Sequence, residues 1–247
     1  MRRSKTGRRG GAERRGSTLI ESVLALVCFL IILQASLDFF GTARAVFAKL
    51  EDGLSARESA QAALERIRQD VLAAGQGLEE PIARGLAAGI APDGAGTSIL
   101  SVEEKVSLAA DARAGDASLA IPDAGDFSVG RIVVLQDKAD GELATVTSVA
   151  GNTLALAAPL GRSYAAADAE LLLLRKVAYF FDAASSVLRR KVNASSAQPL
   201  LEDTASFSMS VPAPAGLVKA SIALQERPER SYEISIFPRN LAFARGE

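Results

Sequence analysis

The chain has 247 residues, enough for one domain with appendages or for two small domains. Residues 1–16 hold seven basic side chains and one acid; removing these from the totals of 28 and 29 leaves 21 basic and 28 acidic residues, a net charge of about −7. Such an acidic body argues against nucleic acid as its main partner, because phosphate binding needs clustered Lys and Arg. The chain has no His, and Cys28 is its one cysteine. These counts exclude an intramolecular disulfide, the common zinc sites and the Ser-His and Cys-His nucleophile pairs. Carboxylates and lysines remain, so these counts do not exclude enzyme chemistry, but its commonest routes are closed; we expect no enzyme activity, metal or cofactor.

The N-terminal part reads as a basic leader, residues 1–16, followed by an apolar helix, residues 17–40. The leader is rich in Gly and Arg and has no hydrophobic periodicity. The apolar run that follows is long enough to cross a bilayer, since about 20 helical residues span the ~30 Å hydrocarbon core. Basic residues that flank such a segment favour the cytoplasmic side. We expect residues 17–37 to lie in the membrane, with the leader in the cytoplasm.

Residues 41–76 are predicted to continue the helix as an amphipathic segment, so that one long helix runs from about Thr18 to Ala74. Apolar residues recur there at spacings of three and four, and charged residues, Asp70 among them, are assigned to the other positions. Gly75 or Gly77 is the expected C-terminal cap. The apolar positions are Val46, Leu50, Leu54, Ala60, Leu64, Ile67 and Val71.

From residue 97 onward the sequence predicts short strands separated by Gly, Asp and Asn. Residues 97–174 are interpreted as a β-rich insertion or meander, and residues 175–247 as a C-terminal antiparallel region with a hairpin loop at residues 182–186. The Gly-rich "AGIAPDGAGTS" is interpreted as a loop, and "PAPAG" and the "ERPER" around Pro228 as turns, because proline cannot donate to a ladder. The predicted fold class is α+β, with a long N-terminal helix on an antiparallel β domain.

Glu21 is the one charged residue in the apolar run, and two explanations are open. "TLIE", Thr18 to Glu21, fits a capping box, in which Thr18 caps the helix and Glu21 faces the positive end of its dipole. Alternatively, Glu21 needs a cation as its partner, because a charge near hydrocarbon is costly when it is unpaired. Cleavage between Gly16 and Ser17 would free an amine four residues ahead of Glu21.

These residues resemble the class III signal of type IV prepilins and type II secretion pseudopilins. The matching elements are the basic leader, Gly16 before the cut, a glutamate at the fifth mature position and the apolar helix. The resemblance implies a pilin-like fold, cleavage after Gly16 by prepilin peptidase and N-methylation of Ser17. It also implies that Glu21 pairs with the N-terminal amine of a neighbouring subunit. Ser17 departs from the bulky apolar residue usual at this position, which indicates a minor subunit.

Residues 177–211 resemble the hairpin and following strand of PilW-type minor pilins and J-type minor pseudopilins. An ordinary amphipathic hairpin is the alternative explanation of this pattern. The positions that match in order are Tyr179, Asp182, Leu188, Arg189, Pro199, Leu200 and Glu202, and the later pair Arg239 and Asn240 matches the "R-N" near which the domain of that family ends.

The resulting hypothesis is a minor pilin or pseudopilin that spans the inner membrane once, with its β domain in the periplasm, before it enters or caps a filament. The implied partners are prepilin peptidase, other major and minor pilins or pseudopilins, and the inner-membrane assembly platform. The alternative is a membrane-anchored β-rich envelope binding protein without a filament role. A third possibility is a secreted enzyme released after Ala45, at an A-x-A-like signal peptidase site, "ARA". The carboxylates of "DKADGE", Asp137 to Glu142, lack EF-hand spacing and are interpreted as a turn.

Overall fold

The structure is a computed structural model that describes residues 14–94, 96–210 and 216–244. The predicted leader up to residue 13 and the predicted "PAPAG" turn up to residue 215 lie outside the described residues. Two compact units can be distinguished, one reaching to Ser55 and the other running from Ala56 to the end of the chain.

Helix α1 spans Arg14–Leu72, close to the predicted limits. From Ala56 onward it has one buried face at spacings of three and four, formed by Ala60, Ala63, Leu64, Ile67 and Val71. The helix ends in a turn where Gly75 has a φ of +75°. A Cβ at Gly75 would lie 2.5 Å from Leu241 Cδ2, so both the left-handed backbone and the close packing require glycine.

Two short helices and twelve strands follow α1 among the described residues. They are α2 (Glu79–Ala83), β1 (Ile90–Asp93), β2 (Gly96–Ser107), β3 (Ser118–Ala120), β4 (Ile132–Gln136), β5 (Gly141–Ala150), β6 (Thr153–Leu156), β7 (Glu170–Asp182), β8 (Val187–Val192), β9 (Gln198–Leu201), β10 (Thr204–Ser210), β11 (Val218–Leu224), β12 (Arg227–Ile236) and α3 (Arg239–Ala244). The strands pair antiparallel, which confirms the α+β class with one long N-terminal helix packed on an antiparallel β domain.

Strand β7 organises the larger sheet. One of its edges pairs with β2 along most of its length. Its other edge is shared: β4 pairs with residues 170–174, and β8 pairs with residues 177–182. Strands β5, β6 and β3 extend the sheet beyond β4, β9 lies beyond β8, and β10, β11 and β12 form a separate three-stranded sheet.

Two large hydrophobic cores fill the second unit. The first joins the buried face of α1 to the end of β7 at Val177 and Tyr179 and to the three-stranded sheet, including Val218 and Ile222. The second lies within the region of β3 to β6 and includes Leu119 and the start of β7. Residues 108–169 therefore enclose apolar side chains of their own, apart from those that hold the helix.

Two local predictions were wrong, and both involve proline. The Gly-rich segment predicted as a loop forms the β1–β2 hairpin, with Pro92 inside β1. The turn predicted around Pro228 lies at residues 225–226, and Pro228 is part of β12. Both strands are sheet edges, β1 pairing with β2 and β12 with β11. A proline that faces away from the neighbouring strand removes no ladder hydrogen bond, so the edge position tolerates it.

Candidate functional site

The N-terminal part of α1 is exposed and apolar. Its large apolar side chains from Leu19 to Leu54 are between 43% and 71% exposed. By length and composition, this helix is able to cross a membrane. It therefore remains a candidate membrane anchor or signal segment, as the sequence predicted for residues 17–37.

The predicted processing residues, Gly16 and Ser17, lie in the first turn of α1, four to five residues before Glu21. This separation corresponds to a rise of about 6 Å to 7.5 Å along the helix. Glu21 is exposed. Because α1 begins at Arg14, Thr18 is not the N-cap of the uncut chain, and the capping-box explanation for Glu21 fails there. Gly16, Ser17 and Glu21 therefore lie within the first eight residues of α1.

An apolar stripe continues beyond the membrane-length segment. It consists of Phe39, Phe40, Val46, Phe47, Leu50 and Leu54, each more than half exposed. At 3.6 residues per turn these side chains fall within an arc of about 120° on the helix. Charged residues of the same stretch, including Lys49 and Asp52, lie outside that arc. This surface, called the apolar stripe below, has the width of a helix-packing face.

A buried ion cluster ties α1 to the β7–β8 hairpin. The Asp70 side chain, 5% exposed, accepts hydrogen bonds from the Tyr179 hydroxyl at 2.5 Å and from Arg190 Nε at 2.8 Å and Nη2 at 3.2 Å. Arg175 Nη2 lies 3.5 Å from the same carboxylate. Burial, together with the hydrogen bond to Asp70, raises the pKa of Tyr179 well above its usual value, so its hydroxyl stays protonated and donates. The prediction that Asp70 lies on the polar face of the helix was wrong.

The hairpin has its loop where the sequence predicted it. Asp182 accepts from Ser185 Oγ at 2.6 Å and from Arg189 Nε at 3.0 Å, while Ser186 has a φ of 56°. The Ser185 hydroxyl and then Arg189 lower the pKa of Asp182 below its usual range. Leu188 is fully buried in the core that holds α1. These contacts give the hairpin a defined shape.

Asn240, one of the two C-terminal residues of the resemblance described above, contacts the C-terminal end of α1. Asn240 Nδ2 donates to the carbonyl of Leu72 at 3.2 Å and to that of Ala74 at 3.3 Å. The last carbonyls of a helix lack partners within it, so this amide supplies a donor to Leu72, the last residue of α1, and a second donor to Ala74 in the turn that follows. The sequence marked Asn240 by resemblance alone and gave no indication of this contact.

The acidic "DKADGE" segment forms the β4–β5 turn. Arg162 binds two of its carboxylates, with Nη2 3.3 Å from Asp137 Oδ2 and Nη1 2.7 Å from Asp140 Oδ2. Hydrogen bonds from the backbone of Asp140 and Ala139 lower the pKa of Asp137. Across the described ranges, no three His, Cys, Asp or Glu side chains come together in a group able to hold a metal ion.

Comparisons with known proteins give no family. No family model matches the chain, and no curated protein matches it. Solved structures that match a part of it include the tailspike of Acinetobacter baumannii bacteriophage AP22 in complex with a capsular saccharide of A. baumannii, with 21% identity and a TM-score of 0.27. The tailspikes of Pseudomonas phages phi297 and LKA1 match at 20% identity, with TM-scores of 0.28 and 0.26. The matches cover 30–31% of this chain and 14–15% of the tailspike chains. At these TM-scores the likeness carries no argument about fold or function.

Proposed function

We propose that this protein is a minor pilin or pseudopilin, with the pilin-like α+β fold that this role implies. Prepilin peptidase removes the leader between Gly16 and Ser17 on the cytoplasmic side of the inner membrane, and Ser17 becomes the N-methylated terminus. The β domain lies in the periplasm. The mature chain then enters, or caps, a type IV pilus or type II secretion pseudopilus built from other major and minor subunits on the inner-membrane assembly platform. Its role is assembly and not catalysis.

The observation that carries the proposal is the length of exposed apolar surface on α1. From Leu19 to Leu54 the helix rises by about 53 Å, whereas the hydrocarbon core is ~30 Å thick. Even a tilt of 40°, the upper end of the usual range, projects about 40 Å across the bilayer. The charges at Lys49 and Asp52 also keep that stretch out of lipid. The apolar stripe therefore needs a protein to cover it, and parallel helices of neighbouring subunits fit this need.

Glu21 supplies the second argument. A carboxylate at the start of a helix that is apolar enough to cross a membrane costs free energy when no cation pairs with it. This cost favours the assembly states that provide a cation. The amine freed at Ser17 of a neighbouring subunit would be such a cation. If Glu21 meets the amine in only one alignment of neighbouring helices, that alignment is favoured over the others. A polar residue in the seam of a coiled coil fixes the helix register in the same way.

Gly16 adds a third argument. A peptidase needs access to the backbone of the bond that it cuts, and this bond lies in the first turn of α1. The terminal turn of a helix frays readily, and glycine weakens it by about 1 kcal/mol relative to alanine. The position of Gly16 thus eases the local unwinding that cleavage requires.

Mass spectrometry of the mature N-terminus, in cells that contain the peptidase, tests the processing step. A start at Ser17 with an added methyl group supports the proposal. An intact leader indicates an envelope binding protein anchored in the membrane without a filament role, and a start at Val46 indicates a released secreted protein. Either of the last two results would refute the proposed processing.

Substitution of Glu21 tests the assembly step separately. We expect Glu21→Ala to be cleaved but to appear in sheared filaments at about one tenth of the wild-type level or less, with Glu51→Ala as the matched control on the same helix. Both acids are exposed, but Glu51 lies beyond the membrane-length segment. Equal incorporation of Glu21→Ala and the control would show that the carboxylate does not select the register.

A further inference from the structure

A cleft of about 420 Å³ opens on the second unit, where β4 and β8 approach the same edge of β7. Asn193 fills the gap between these two strands. Its backbone N–H donates to the carbonyl of Lys176 at 2.7 Å, and its side-chain Oδ1 accepts from the N–H of Lys176 at 2.8 Å. Asn193 has a φ of 52°, a left-handed conformation that asparagine tolerates better than most residues. The cleft is therefore bounded by fixed backbone.

Basic side chains dominate the cleft. Arg131, Lys176 and Lys191 line it, and Asp93 is the one acid among its described lining residues. Lys176 Nζ pairs with Asp93 Oδ2 at 2.9 Å, and Arg131 pairs with Glu103. Lys191 has no side-chain partner within the described part of the chain. The cleft thus keeps an excess of about one positive charge, on a body whose net charge is negative.

Among the described side chains that line the cleft, Asp93 is the one anionic acceptor, and it already pairs with Lys176; the other polar side chains described there keep free donors. The Asn193 Oδ1 is already occupied, which leaves the two N–H groups of its amide. Arg131 is 8% exposed at its side chain, and its Nε finds no acceptor among the described residues. Lys191 contributes an ammonium group. A ligand for this set must offer acceptor atoms and a single negative charge, which describes a carboxylate better than a dianionic phosphate.

We propose that this cleft is a docking site for a glutamate or aspartate side chain on an acidic peptide segment of a partner protein. The walls also contain Ile132, Ala178 and Ala194, which suit the methylene groups of a glutamate. The volume lies within the range of ligand sites and exceeds that of one carboxylate, so the cleft has room for the flanking peptide. The site does not depend on the filament role and would serve an envelope binding protein equally.

Binding of a defined acidic peptide to the full-length chain in detergent micelles tests the proposal. The probe is a fluorescein-labelled pentapeptide with three central glutamates, and the matched peptide carries three glutamines. We expect Lys191→Glu to weaken binding of the acidic peptide at least about tenfold, because it removes a charge-assisted donor and adds a repelling charge. Lys219→Glu, the same charge change at an exposed residue of the smaller sheet, is expected to weaken it less than about twofold.

Each of the following results would overturn the proposal. Equal weakening by the two variants would show that binding follows overall charge, including that of the basic leader. Equal binding of the glutamine peptide would show that the cleft does not recognise a carboxylate. The same conclusion would follow if the acidic peptide did not bind at concentrations below about 1 mM. Binding of free glutarate as tight as that of the peptide would assign the cleft to a small acid. As a second measurement, carbodiimide coupling should join a peptide carboxylate to Lys191 or Lys176, and coupling confined to the leader would contradict the docking site.

Discussion

Removal of the Asp70 carboxylate should test how α1 is fixed to the β domain. This carboxylate accepts three hydrogen bonds in a site that leaves it 5% exposed. Asp70→Ala leaves the Arg190 guanidinium, whose side chain is 13% exposed, without its paired charge. It also leaves the Tyr179 hydroxyl without its acceptor.

The expected loss follows from these two consequences. Breaking a buried ion pair by removing one partner costs about 3–5 kcal/mol, and a buried hydroxyl left without a partner costs about 1–3 kcal/mol. The two costs arise in one cluster and do not add fully. Arg175, whose Nη2 lies 3.5 Å from Asp70 Oδ1, is one-third exposed and turns to water at little cost. We therefore expect the free energy of unfolding to fall by about 3–5 kcal/mol.

Urea unfolding of the full-length chain in micelles, followed by circular dichroism, measures this loss. The matched control is Glu65→Ala, which removes a half-exposed acid of the same helix from its pair with Arg68 and should cost about 0.5 kcal/mol. If Asp70→Ala fails to fold, the triple variant with Asp70→Leu, Arg190→Met and Tyr179→Phe still tests the reasoning, since it removes the hydrogen-bonded partners of the buried cluster together and apolar replacement of a whole buried pair is often nearly neutral. A loss below about 1 kcal/mol for Asp70→Ala would refute the cluster as a structural tie.

Two further predictions concern the end of α1 and the hairpin. Asn240→Ala should lower the free energy of unfolding by about 1 kcal/mol in the same urea assay, because the carbonyls of Leu72 and Ala74 lose their donor; an unchanged value would show that water replaces the amide fully. Asp182→Asn should lower the melting temperature at pH 7, and the difference from wild type should shrink as the pH falls below about 4. The pKa of Asp182 is lowered in the folded state, chiefly by Ser185, so its contribution is present above the unfolded pKa and is lost as acid protonates the folded carboxylate. A difference that stays constant down to pH 2.5 would contradict this linkage.

The regular elements could be predicted from local pattern. Periodicity located α1 to within about four residues at each end, and alternation with Gly, Asp and Asn breaks located most strands. The proline errors arose because a sequence does not tell an edge strand from a central one. Pro92 and Pro199 lie in strands that pair on one side, and Pro228 lies in the irregular part of the β11–β12 pairing; both are places where a sheet tolerates a missing N–H.

The candidate sites also differ in how far the sequence could predict them. Gly16, Ser17 and Glu21 form a short local motif, so the sequence was sufficient to propose them. The Asp70 cluster was missed because its partners Tyr179 and Arg190 lie 109 and 120 residues further along the chain. One signal was present: Asp70 comes three residues after Ile67 and seven after Ala63, positions that share the buried face. Because Asp is almost never fully buried unless it is paired, a charge on an apolar face indicates a buried partner.

The central strand β7 explains why both polar sites lie where they do. Its sequence, ELLLLRKVAYFFD, is apolar apart from its ends and one Arg-Lys step. On one face Leu171 and Leu173 belong to the core of residues 108–169, and Val177 and Tyr179 belong to the core that holds α1. Arg175 lies on that face between the two cores and contacts Asp70. Lys176 lies on the other face, in the gap between the start of β4 at Ile132 and the end of β8 at Val192, and it lines the cleft. A strand that contributes side chains to two separate cores has positions between them that belong to neither core. Polar side chains at those positions do not have to be buried against apolar ones. The Arg-Lys interruption in β7 thus falls where the strand passes from one core to the other, and it supplies one basic side chain to each site, Arg175 to the Asp70 cluster and Lys176 to the cleft.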